Sequence, residues 1–429
     1  MLFSSAFSGR HTKHSYQGRQ GLVRLFAIAT TLAIAALSGC APPKPIETLP
    51  PVVTQAPPPP EPAAANPLDK DQPDFLRLPN LAQDTTPVRI GVILPLSASA
   101  PATRALAQSM LKAAELALFD AGNPNIVLIT ADEGNSAAAT ISAANRLLAQ
   151  GTEIIVGPLF GASVAAIAPI ARDRGVPVLA FSTEKSGAGH GTYLISFLPE
   201  NEIARVVSYA ADHGHSQFAA LVPSTAYGDL AADAMDAAVK EAGAKTIAVE
   251  HFEPTAAGAL ETAARIAKSG ADAILIAQGG AVLRAIAPTL SLNGADKAHV
   301  KLLGTGLWDD DSLSRESALE GGWYAAPAPD ADATFNAKYR AVYGAAPSQL
   351  ASLAYDAVAL VALLSAGEPY HRFTAAALMD PNGFAGVTGV FRFRQDGTSE
   401  RGLAVLEMGQ GGPSVVSPAP TTFLQPKRS

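Results

Sequence analysis

Few residues of this chain are of types and spacings that do covalent chemistry. Eight histidines are scattered over 429 residues with no HExxH pair, and a single cysteine, Cys40, rules out a disulfide framework, a thiolate zinc cluster or a CxxC redox pair. No Gly-x-Ser-x-Gly elbow is present in a strand–turn–helix context. Asp309-Asp310-Asp311 has the composition of a calcium loop, but with Ser312 it reads better as the acidic start of a helix. Gly279-Gly280 lacks the lysine and the spacing of a phosphate-binding loop, and His190 stands alone among Gly187, Gly189 and Gly191. These features point to a protein that is not an enzyme and needs no metal or cofactor. The remaining candidates are side chains that hold a ligand: the hydroxyls of Ser97, Ser182 and Thr183, the aromatic rings of Phe160, Tyr227 and Trp308, and the amide of Gly161.

The elements that must position them alternate regularly. Strands at 88–94, 126–130, 153–156 and 177–180 interleave with helices at 104–121, 136–150 and 162–172, and the helices end at Gly122 and Gly151. After 193–197 the pattern restarts, with strands at 218–222, 246–250, 273–277 and 300–303 between helices at 200–212, 228–242, 256–269 and 281–292. Helices at 333–343 and 348–365 follow, then a hairpin of 387–393 with 403–407 around Asp396-Gly397. The strands are aliphatic throughout, as in parallel sheets covered on both faces. The expected architecture is α/β: two doubly wound parallel-sheet lobes joined by a hinge. Ligands of such sheets sit beyond the carboxyl ends of the strands, where Ser97, Phe160, Gly161, Ser182, Thr183, Tyr227 and Trp308 all fall. With 48% hydrophobic residues the chain can fill two cores, and a net charge of −7 argues against a nucleic-acid partner.

The N-terminus reads as an address. Arg10, Lys13, Arg19 and Arg24 precede an apolar run at 25–37, shorter than the ~20 residues a transmembrane helix needs. The run ends in Leu37-Ser38-Gly39-Cys40, which resembles the bacterial lipobox. That resemblance implies a signal segment over 1–39, lipid attachment at Cys40 and, with Ala41 rather than aspartate next, an outer-membrane, periplasm-facing location. Residues 40–86 hold Pro42-Pro43, Pro50-Pro51, Pro57-Pro58-Pro59-Pro60, Pro62 and Pro67, the composition of a disordered tether. Such a chain reaches on the order of 100 Å when extended.

The body is similar to a known group. Ile90-Gly91-Val92-Ile93-Leu94-Pro95-Leu96-Ser97, Ile154-Ile155-Val156-Gly157-Pro158-Leu159, Gly175-Val176-Pro177-Val178, Tyr227-Gly228-Asp229, Tyr355-Asp356-Ala357 and Gly386-Val387-Thr388-Gly389 occur in the order and spacing of the type I periplasmic-binding-protein fold. The resemblance covers 87–412 and implies a first lobe of about 87–198 and 327–382, a second of about 199–326 and 387–412, and a disordered tail over 413–429. Within that fold, Leu198–Arg205, Val222–Asp229, the lipobox and the tether resemble penicillin-binding-protein activators. These are non-enzymatic outer-membrane lipoproteins whose partner is a bifunctional peptidoglycan synthase. The other member type is a lipid-anchored receptor of an ABC importer, with an amino acid or related small molecule in its cleft. In amino-acid receptors a serine stands where this chain has Gly161 and a threonine near Glu184. Their ammonium-binding glutamate falls near Leu307 or Trp308, with Asp309 slightly beyond. A carboxylate at 184 would repel a ligand carboxylate within ~4–6 Å unless Lys185 offsets it.

Overall fold

The computed structural model describes residues 75–79 and 86–424. The signal segment, Cys40 and the tether up to residue 74 lie outside the described residues.

Val88–Leu94 (β2) is buried on both faces, as its unbroken aliphatic run requires. Around it lie Phe75–Arg77 (β1), Ile126–Asp132 (β3), Ile154–Val156 (β4), Val178–Ala180 (β5) and Thr192–Leu194 (β6), in the order β1-β3-β2-β4-β5-β6. All pairs are parallel except β1 on β3. The helices are Pro101–Ala121 (α1), Ala137–Ala149 (α2) and Gly161–Asp173 (α3). Pro101 starts α1 three residues ahead of the expected Arg104, because a proline at the first helical position forfeits no hydrogen bond. Ser136 caps α2, its hydroxyl accepting from the Ala139 amide at 3.2 Å.

The chain then enters a second sheet through Pro199–Asp212 (α4), Gln217–Pro223 (β7), Ala226–Glu241 (α5), Lys245–Phe252 (β8), Ala256–Ile266 (α6), Ala273–Ile276 (β9), Gly280–Leu292 (α7), Lys301–Gly304 (β10) and Trp323–Ala326 (β11). It returns to the first lobe as Ala333–Tyr343 (α8), Ala351–Leu364 (α9) and Ala375–Leu378 (α10). A three-stranded unit follows, of Phe384–Gly386 (β12), Gly389–Phe393 (β13) and Ser399–Arg401 (β14). Ala404–Glu407 (β15) and Ser414–Ser417 (β16) complete the second sheet, in the order β16-β15-β11-β10-β9-β7-β8. The parallel part of each sheet has the same winding, and each sheet has a separate apolar core on each face. The chain passes between the lobes at β6–α4, β11–α8 and β14–β15. The fold is therefore the expected pair of doubly wound lobes.

Four segments differ from expectation. The hairpin around Asp396-Gly397 pairs β13 with Ser399–Arg401, not with 403–407; β15 instead pairs antiparallel with β11. The break at Gly402 turns the chain out of one lobe into the other. Trp323–Ala326 is a buried strand that turn-rich flanks conceal in the sequence. Ser414–Ser417 pairs with β15 where a disordered tail was expected, and Phe75–Arg77 pairs with β3 within the expected tether. In both cases a short segment of weak intrinsic preference is held by an open sheet edge.

Candidate functional site

The loops after β2, β3, β4 and β5 bring together one half of the candidate site. Ser97 is exposed, and its amide donates to Asp132 Oδ1 at 3.1 Å. Burial pushes the Asp132 carboxyl up, but the Ser97 hydroxyl and the amides of Gly134, Ser97 and Leu96 outweigh it and hold it below the usual range. The next residue, Glu133, is fully buried and clamps the β4–α3 loop. Its Oε2 accepts from the Leu159 amide at 3.0 Å and its Oε1 from the Phe160 amide at 3.1 Å. Burial raises the Glu133 carboxyl above its ordinary value in spite of these bonds. The Phe160 ring is 45% exposed at the cap position of α3.

Gly161 opens α3, and a Cβ there would collide with the carboxylate of Glu184. The missing side chain is what admits Glu184 to the helix start, where a negative charge is favoured. Ser182 is buried and shapes the same turn, its Oγ accepting from the Glu184 amide at 2.9 Å; Thr183 is exposed. Lys185 is ion-paired with Glu200 at the start of α4, so the cation beside Glu184 is already engaged by a residue of the second lobe.

The second half gathers at the ends of β7 and β10. The Tyr227 hydroxyl lies 3.1 Å from Thr305 Oγ1. Burial, opposed by the Thr305 bond and assisted by Glu202 and Glu200, pushes the Tyr227 phenol up to about 12. Glu202, on the first turn of α4, accepts from the Gly306 amide at 2.8 Å. Burial pushes its carboxyl up to about 7; the Gly306 bond opposes this, and the charges of Glu200 and Asp309 add to it. A Cβ at Gly306 would lie 2.7 Å from Glu202 Oε1. A carboxylate thus stands beside the loop after β10, where the loop itself carries Leu307 and Trp308, and it is supplied by α4. Neither Glu202 nor Glu133 was singled out from the sequence. An acidic residue in a helix's first turn or at a strand end has an ordinary solvated reading, and only burial distinguishes these two.

Trp308 does not belong to this group. It is 1% exposed, packs in the α6/α7 core of the second lobe beside Tyr324, and donates from Nε1 to the Gln278 carbonyl at 3.1 Å. The short helical turn at Gly306–Trp308 rotates the indole inward and leaves Leu307 47% exposed instead. The Asp309-Asp310-Asp311 run carries no metal cluster: among the described residues no group of three histidine, cysteine or acidic side chains has a metal-binding arrangement. Asp309 accepts from the Tyr324 hydroxyl at 3.3 Å, and Asp310 caps a short turn through the Ser312 amide. No helix among the described residues is long and apolar enough to cross a membrane.

Residues 87–413 match the family model described as periplasmic binding protein. The chain belongs to the periplasmic binding protein family. Its fold is similar to that of a putative branched-chain amino acid ABC transporter protein from Rhodospirillum rubrum, with TM-score 0.66 and 19% identity over 77% of this chain and 100% of that one. It is also similar to an ABC transporter solute-binding protein from R. palustris in complex with benzoate, with TM-score 0.55 and 15% identity over 80% and 98%. A branched-chain amino acid ABC transporter periplasmic ligand-binding protein from Burkholderia xenovorans LB400 aligns with TM-score 0.63 and 19% identity over 79% and 97%. At these identities the likeness is one of fold. An uncharacterised protein of Rickettsia prowazekii is 24% identical over 146 residues, 34% of this chain and 39% of that relative's length.

Proposed function

We propose that this periplasmic binding protein is a solute receptor, lipid-anchored at Cys40 and facing the periplasm, that takes a small molecule recognised without an α-carboxylate. The observation that carries the second half of this reading is Glu184 at the start of α3, in the space left by Gly161. A ligand carboxylate brought to that helix start meets a like charge, and Lys185 is committed to Glu200. The buried Glu202, with Tyr227 and Thr305, adds acceptors and a hydroxyl pair suited to an amine or hydroxyl group. A cleft of this family works by lobe closure, so the ligand would be gripped by both halves. The chemistry is binding, with no catalytic step.

Calorimetry tests the reading with the full chain against leucine, benzoate and carboxylate-free amines and polyols. Binding of a carboxylate-free ligand, together with a gain of leucine affinity in the Gly161→Ser/Glu184→Thr double variant, supports it. Tight leucine binding by the native chain overturns it.

A second reading is favoured by the same two substitutions, since they remove the contacts that hold an amino acid: activation of a bifunctional penicillin-binding protein from the outer membrane. A peptidoglycan synthase assay with and without the chain separates the two. Cys40→Ala should release the protein from membranes in either case.

A further inference from the structure

The free edge of the second sheet combines three features that nothing in the cleft requires. The β8 strand has one strand neighbour, β7, and closes that end of the sheet. The Phe252 carbonyl accepts from the Ser224 amide, so Phe252 and, by alternation, Glu250 direct their backbone groups toward β7. The N–H and C=O of Val249 and His251 therefore point outward. On the α5 side of the strand, Ile247 and Val249 are 37% and 40% exposed. Facing them from α5, Asp229, Asp233 and Asp236 recur at helical spacing and line, with His251 and Val249, a groove of about 460 Å³. Past Ile247 and Thr246 the groove opens into a further space of about 430 Å³ where Lys240 and Lys245 succeed the acidic stripe, so the anionic stretch is confined to Asp229–Asp236; the buried Thr246 Oγ1 has no hydrogen-bond partner there.

We propose that this groove is a docking surface for an extended segment of a partner protein that carries lysine or arginine at every second position. Such a segment would add as a strand beside β8, bonding to the outward groups of Val249 and His251. On the α5 side its long side chains would cover Ile247 and Val249 with their methylene stems and place their charges at Asp233 and Asp236. The acidic stripe selects a basic segment over a neutral or acidic one, and the backbone ladder selects an extended conformation.

The test uses the full chain and fluorescein-labelled octapeptides of alternating lysine and threonine, of alternating glutamate and threonine, and the lysine peptide with alternate amides N-methylated. Anisotropy should show salt-sensitive binding of the lysine peptide, at least tenfold weaker in Asp233→Lys/Asp236→Lys. The glutamate and N-methylated peptides should not bind. Hydrogen exchange at Val249 and His251 should slow with the lysine peptide present. Both aspartates are exposed, so an unchanged melting temperature confirms that the variant is folded. The proposal is overturned if the lysine peptide does not bind, if it binds the variant or survives N-methylation equally well, or if the chain self-associates through β8 in a manner abolished by Val249→Lys.

Discussion

Two buried carboxyl groups respond to their surroundings in ways that can be measured. Glu202 titrates near 7 in the folded chain because burial disfavours its charged form, while an unfolded glutamate titrates near 4.5. Between these values the folded state holds the extra proton, so this contribution to stability is complete at low pH and is lost as pH rises through 7. The loss is about 3 kcal/mol by pH 8, and Glu202→Gln should remove it, so that the variant's urea midpoint falls less than the native one between pH 5 and 8. Glu133 is different: its two oxygens each take an amide, from Leu159 and Phe160. Glu133→Gln leaves one oxygen for two N–H groups and sets an NH2 against a donor. The expected cost is about 1–3 kcal/mol, read from the same urea titration. Candidate hydroxyls and rings could be picked from the sequence at these strand ends, but these two acids could not. Their character depends on being buried, and burial is set by residues distant in the chain.

At the level of elements, the short outer strands matter more than their length suggests. The β16 strand covers the β15 edge, and Arg205 of α4 reaches across to it, Nε donating to the Leu403 carbonyl at 3.0 Å and Nη2 to Ser417 Oγ at 2.6 Å. Truncation after Gly412 removes β16 and leaves the Arg205 head without the Ser417 acceptor. It should lower stability by about 2–3 kcal/mol and increase aggregation, checked by chemical denaturation and light scattering. The core helices and parallel strands were legible because most carry a local periodic or aliphatic pattern, reinforced at α2 by the Ser136 cap. Of the antiparallel additions, 387–393 and 403–407 were legible as strands but their partners were not, and Phe75–Arg77 and Ser414–Ser417 were missed altogether, because their pairing is decided by whichever sheet edge is open.

In the molecule as a whole, the lobes share chain crossings and a surface ion pair, and a buried ion pair inside the first lobe lies next to the last crossing. Asp356 of α9 pairs with Arg401 of β14 at 3.4 Å, beside the last crossing, and Arg401 lies over the rings of Phe197 and Phe391. Breaking this pair from one side strands a buried charge, so Asp356→Ala should destabilise by about 3–5 kcal/mol. The Lys185–Glu200 pair is more exposed and joins the rims of the two half-sites. Lys185→Ala should leave the melting temperature nearly unchanged while enlarging the radius of gyration of the free protein in X-ray scattering. An unchanged radius would show that this contact does not hold the lobes.

The sequence by itself determined the alternation of strand and helix and the division into two wound lobes, because those follow from local periodicity and residue type. Only the tertiary structure decided that Trp308 turns into a core, that Glu184 occupies the start of α3, and that the carboxylate beside Gly306 comes from Glu202, 104 residues earlier. Such meetings are products of packing, and over that separation the chain carries no spacing signal from which they could be read.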